Sequence, residues 1–116
     1  MTNTNETALS DADHIRTLND RFRTTFWGGK VFFTRGIIDM GGAFQSACVE
    51  AVQGFTDFSA DNDPYGEHDF GRVVISGTPV FWKIDYYDRT LEAGSENPAD
   101  AAATTRVLTI LLASEY

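Results

Sequence analysis

Apolar residues recur along the chain with two different periods. Ile15, Leu18, Phe22 and Phe26 lie three and four residues apart, the spacing that lines up one face of a helix. Ser10 ahead of Asp13 resembles an N-cap with acids in the first turn, and Gly28-Gly29 closes the run, so a helix is predicted over roughly 11–26. Arg16, Asp20 and Arg23 on its other face read as ordinary solvation. Phe44, Ala47, Cys48, Ala51 and Val52 predict a second helix over 42–53, ended by Gly54. Residues 1–9 lack any apolar period and are expected to form a flexible tail ahead of a single domain over 10–116.

The second period is that of a strand. Val31-Phe32-Phe33 predicts one over 30–34, which Ile37-Ile38 could extend or turn back, and Phe55 with Phe58 suggests another short one. The segments 72–75 and 80–87, on either side of Ser76-Gly77-Thr78-Pro79, predict a β-hairpin. In the longer segment Val80, Trp82, Ile84 and Tyr86 share one face, while Phe81, Lys83, Asp85 and Tyr87 share the other. Gly94 and Pro98 break up 88–98, which is expected to be a loop. Pro98 is then expected to open a final helix carrying Val107, Leu108, Ile110, Leu111 and Leu112, too dense an apolar set for a narrow stripe and so central in packing. Without regular βαβ alternation, these elements predict an α+β fold, a mainly antiparallel sheet of about four strands covered by three helices.

Charge narrows the list of partners. The 116 residues carry a net charge of −8, so direct binding to nucleic acid, whose phosphates call for Lys and Arg, is not expected. The start of the chain lacks the basic and apolar runs of a secretory signal, and no apolar stretch approaches bilayer length, so a cytoplasmic protein without membrane attachment is expected. The single Cys48 falls within an apolar helical stretch and reads as a reduced core residue.

The segment 59–71 concentrates turn-forming and acidic residues. Asp61, Asp63, Glu67, His68 and Asp69 occur there without Lys or Arg, which is where a hard cation would be sought. Counted from Asp61, however, Tyr65 and Arg72 occupy slots that a calcium loop reserves for oxygen ligands, and a zinc site would have only Cys48, His14 and His68 to draw on. A looser carboxylate and histidine site built from Asp61, Asp63, His68 and Asp69 is the remaining metal alternative. Glu67-His68-Asp69 also admits acid/base chemistry, although no partner nucleophile or phosphate-cradling loop is marked. The simpler reading gives these residues to Asx-turns, with His68 hydrogen-bonded inside the bend. No cofactor is expected.

Four strings, Ile15 to Arg23, Asn62-Asp63-Pro64-Tyr65-Gly66-Glu67-His68-Asp69-Phe70-Gly71, Phe81-Trp82-Lys83-Ile84-Asp85-Tyr86-Tyr87-Asp88 and Thr105 to Ile110, resemble a family of short bacterial proteins of mobile elements, catalogued as a domain of unknown function. The resemblance spans roughly residues 15–116. Ala101-Ala102-Ala103 stands where that family has a Pro-containing helix start. The setting it implies favours a small acidic inhibitor of a host defence complex, of the anti-CRISPR type. Its physical basis would be mimicry of nucleic acid, because carboxylates two apart on an extended strand are spaced by ~6–7 Å, much as successive phosphates are. Ten of the seventeen acids fall in 57–69 and 85–100, and Asp57, Asp61, Asp63, Glu67, Asp69, Asp85 and Asp88, with Tyr87, are the expected contact residues. The partner would be a basic host protein or nucleoprotein complex, met by a monomer or dimer. A metal-dependent or acid/base enzyme centred on 61–69 and a dimeric structural or regulatory protein are the competing expectations.

Overall fold

The alternation of large apolar and polar residues from Val80 to Tyr87 suits a strand with one face in the core. A computed structural model, which describes residues 10–116, makes this strand the longest element of the sheet. The expected tail, 1–9, lies outside the described residues. In chain order the elements are α1 (Asp11–Thr25), β1 (Lys30–Phe33), α2 (Arg35–Asp39), α3 (Gly42–Gln53), β2 (Phe70–Ile75), β3 (Thr78–Tyr87) and β4 (Thr105–Leu112). The sheet runs β1-β4-β3-β2; β1 is parallel to β4 and the other pairs are antiparallel. The fold is therefore the α+β class the sequence predicts, a mostly antiparallel four-stranded sheet with three helices.

The hairpin turn is tighter than the sequence suggests. Ser76 and Gly77 both have positive φ, at 50° and 82°, the backbone that a two-residue turn needs to follow the strand twist. Pro79 is thereby drawn into β3 opposite Val74, at a point where β4 has already ended, so its missing N–H forfeits no ladder bond.

Four expectations are corrected. The segment expected to be a final helix is strand β4, because Thr105, Val107, Thr109 and Ile110 are β-branched and an eight-residue ladder on β3 rewards the extended form. Its apolar density comes from lying between two neighbouring strands, a position in which Leu108 and Ile110 are fully buried. Ala101–Ala103 forms only a short 3-10 turn, capped by Asp100. Ile37 and Ile38 belong to the short helix α2, and the segment 55–58 joins no strand. Arg23, read as a solvated residue, is buried, and its guanidinium donates to the carbonyl of Val52 in the last turn of α3 and to that of Phe55 just past it.

The core lies on one face of the sheet, where Val80, Trp82, Ile84, Leu108 and Ile110 meet Phe22 of α1, Ile37 of α2 and Phe44, Cys48 and Val52 of α3. Burial pushes the Cys48 thiol up from its ordinary pKa, so it packs as a small apolar group. Trp82 sits directly over Gly71, where an added Cβ would fall 2.6 Å from Trp82 Cε2. The fully buried indole has no room to withdraw. Gly71→Ala is therefore expected to lower stability by about 1–3 kcal/mol through overpacking, read from the urea denaturation midpoint.

A loop locked to helix α1 by a buried polar relay

Ser10 and Asp13 cap α1 reciprocally, the Asp13 amide donating to Ser10 Oγ at 3.1 Å and the Ser10 amide to Asp13 Oδ2 at 3.3 Å. With the helix started there, Arg16, Asn19, Asp20 and Arg23 fall on one stripe by their three- and four-residue spacing. That stripe holds the acidic loop. Arg16 donates to the Gly66 carbonyl at 3.0 Å, Asn19 to the Glu67 carbonyl at 2.9 Å, and His68 Nδ1 to Asp20 at 2.8 Å, so consecutive loop residues are matched to successive helix positions.

The loop is also tied to itself. Asn62 receives the Ser59 amide at 2.8 Å and donates to the Asp57 carbonyl at 2.7 Å, while Asp63 Oδ1 receives the His68 amide at 3.2 Å. Gly66 and His68 have left-handed backbones, with φ of 69° and 56°. The His68 ring stacks on Phe58 with centroids 3.6 Å apart and planes within 3°. Its Nδ1 faces Asp20, and Nε2 lies 3.6 Å from Asp63 Oδ2. Both ring nitrogens thus look at carboxylates of the same chain, a clamp and not a proton donor aimed at an open site.

Beneath the loop runs a line of four buried or half-buried side chains. Arg106 Nε donates to Asn19 Oδ1 at 2.7 Å, Asn19 Nδ2 donates to Tyr86 Oη at 2.8 Å, and Tyr86 donates to Glu67 Oε1 at 2.8 Å. Burial drives the Tyr86 phenol far above its ordinary pKa and keeps the proton that Glu67 receives. The relay joins a cation on β4 to a carboxylate on the loop through α1 and β3.

The structure spends most of the acids expected at a contact surface. Asp63 is buried on His68, Glu67 is held by Tyr86, and Asp85 pairs with Lys83 at 2.6 Å on the helix-free sheet face. Asp88 receives the amides of Glu92 and Thr90 and the Thr90 hydroxyl, bonds that hold its carboxyl below the usual range. Burial, with Glu67, Asp63 and Asp85 nearby, pushes the Asp69 carboxyl up. Asp57 and Asp61 are exposed, as is Tyr87 at the end of β3. The metal alternative is not assembled, since among the described residues no group of three or more His, Cys, Asp or Glu side chains is placed to hold an ion. Sequence reading passed over Asn19, Asp20, Tyr86 and Arg106 as site residues. The polar spacing of Asn19 and Asp20 on α1 is what a solvated helix face also shows, so the sequence held no signal that set them apart.

The geometry defines a small α+β protein in which one helix and one acidic loop are joined over a four-stranded sheet, and none of its described helices is long and apolar enough to cross a membrane. The family described as protein of unknown function (DUF3768) matches residues 33–115, and the chain belongs to it. The matched span contains the loop, Tyr86 and Arg106, while α1 precedes it. No curated protein and no solved structure matches the chain.

Two measurements probe this arrangement. Asn19→Leu takes the partner from Arg106 Nε and the Glu67 carbonyl and the donor from the Tyr86 hydroxyl, and is expected to cost about 3 kcal/mol or more in urea denaturation. Asp69 has a folded pKa above its unfolded value, so its favourable contribution is present only below the ordinary Asp range and is lost as pH rises through the folded value. Asp69→Asn should accordingly equal the wild type in stability in acid and exceed it at neutral pH, as urea midpoints at the two pH values will show.

Proposed function

We propose that the protein is a non-enzymatic binding module that presents the loop 57–69 to a cationic surface on a partner. The observation that carries this reading is the contrast within the loop. Its inward side is fastened to α1 at three consecutive residues, while Asp57, Asp61 and Tyr65 project outward, Tyr65 with 80% of its surface exposed. A loop already held in one conformation loses little entropy on binding, and an exposed Tyr between carboxylates is a side-chain set suited to an interface. Use of His68 as an internal clamp supports binding over acid/base chemistry.

In its narrower form the partner is a basic, nucleic-acid-handling host protein or nucleoprotein complex in the cytoplasm, whose groove the acidic loop occupies as an inhibitor of the anti-CRISPR type. The net charge of −8 supports this form. Because Asp63, Glu67, Asp85 and Asp88 are engaged within the chain, mimicry rests on Asp57 and Asp61 beside Tyr65, a smaller field than the sequence suggests.

Immobilised protein is expected to capture a partner from bacterial lysate at low salt and to release it as salt rises. The triple substitution Asp57→Lys, Asp61→Lys and Tyr65→Ala should abolish capture with the urea midpoint unchanged. Capture that ignores both salt and the substitutions would remove the proposal.

A further inference from the structure

At the end of α1 remote from its N-cap lies a cleft of about 170 Å³ that the loop reading does not use. Leu18 and Phe22 of α1 form its apolar wall, Thr104 and Arg106 border it from the start of β4, and Arg21 and Trp27 stand at its edge. Its charge is opposite to that of the molecule. In a chain of net charge −8, this cleft is lined by two arginines and by no acid.

Neither arginine has an ion-pair partner among the described residues. Arg21 is exposed. Arg106 is only 4% exposed, and the groups in direct contact with it are neutral, the Glu67 carboxylate acting only from a distance: Nε donates to Asn19 Oδ1, Nη2 donates to the Pro98 carbonyl, and the guanidinium carbon lies 5.2 Å from the Tyr86 ring centre. Among the described residues Nη1 has no acceptor, and it is not one of the buried polar atoms left without a partner. Burying a cation without a carboxylate is costly, and the cost is recovered when an anion completes the site. The partial negative end of α1 opposes such an anion, but two full positive charges outweigh a fraction of one.

Trp27 supplies the second requirement. It is 81% exposed, the most exposed large apolar side chain among the described residues, and its amide is fixed by Thr25 Oγ1 at 3.0 Å. The main chain beside it cannot retreat, since a Cβ on Gly29 would fall 2.6 Å from the Arg106 carbonyl oxygen. An open indole on an anchored main chain, next to an apolar wall, offers a stacking surface, and ~150 Å³ is enough to seat a benzene ring.

We propose that this cleft binds a small planar ligand bearing an oxyanion, an aromatic carboxylate or phosphate ester, with the anion on Arg106 and Arg21 and the ring against Trp27. The cleft has no lining residue in the loop 57–69, and its proposal would stand if the partner-binding reading failed. Two-dimensional NMR of the full chain locates binding directly, because the two tryptophans differ so sharply in setting: Trp82 is fully buried and Trp27 is open.

Titration with benzoate or phenyl phosphate is expected to move the Trp27 indole and Arg106 Nε–H signals and leave the Trp82 indole in place. The tighter of the two identifies the anion as carboxylate or phosphate. Benzamide, of the same shape and uncharged, should bind at least roughly tenfold more weakly, as loss of a charged hydrogen bond implies. Arg21→Gln, at an exposed position that leaves the relay intact, should weaken benzoate or phenyl phosphate by a similar factor with no change in the urea midpoint. An unmoved Trp27 signal with both anions, equal binding of benzamide, or undiminished binding by Arg21→Gln would each overturn the assignment.

Discussion

A single buried amide carries the architecture. Asn19, with none of its surface exposed, uses its oxygen for Arg106 and its nitrogen for both Glu67 and Tyr86. Through it α1, the acidic loop, β3 and β4 share one hydrogen-bond network, and each of the four needs the other three in place to be satisfied. Such a network is cooperative in a way that apolar packing is not, because a half-satisfied buried polar group is worse than none. It also sets direction: the apolar face of α1 settles on the sheet only in the rotation that points Asn19 at Arg106 and Tyr86.

The same constraint explains why so many acids are unavailable for recognition. Fastening a loop of thirteen residues that forms no strand or helix requires acceptors, and Asp20, Asp63 and Glu67 supply them to His68 and Tyr86. Charge that looks like surface in the sequence is therefore divided. One part is tied up within the fold, and the other, on Asp57 and Asp61, stays exposed. His68 is part of the same fastening, with both of its nitrogens turned to carboxylates and its face to Phe58.

Arg106 connects the two ends of this arrangement. One nitrogen serves the relay that holds the loop, and another is left toward a cleft whose character is cationic and aromatic. The molecule thus presents an acidic tip and a basic pocket, each built on a different part of the same helix. Helix α1 supplies Arg16, Asn19 and Asp20 to the first and Leu18, Arg21 and Phe22 to the second.

Local chemistry in the sequence was sufficient for α1, α3, the hairpin and the α+β class, because capping residues, helical spacing and strict alternation act within a dozen residues. The turn-rich nature of 59–71 was legible for the same reason. What the tertiary structure decided was everything that depends on a distant neighbour. Residues 105–112 are as compatible with a buried helix as with a strand until β3 offers its ladder, and Arg16, Asp20 and Arg23 look solvated until the loop 57–69 and the end of α3 arrive to pair with them. A polar side chain carries no mark in the sequence of whether water or protein will satisfy it, since that depends on which acceptor the fold brings within hydrogen-bond reach.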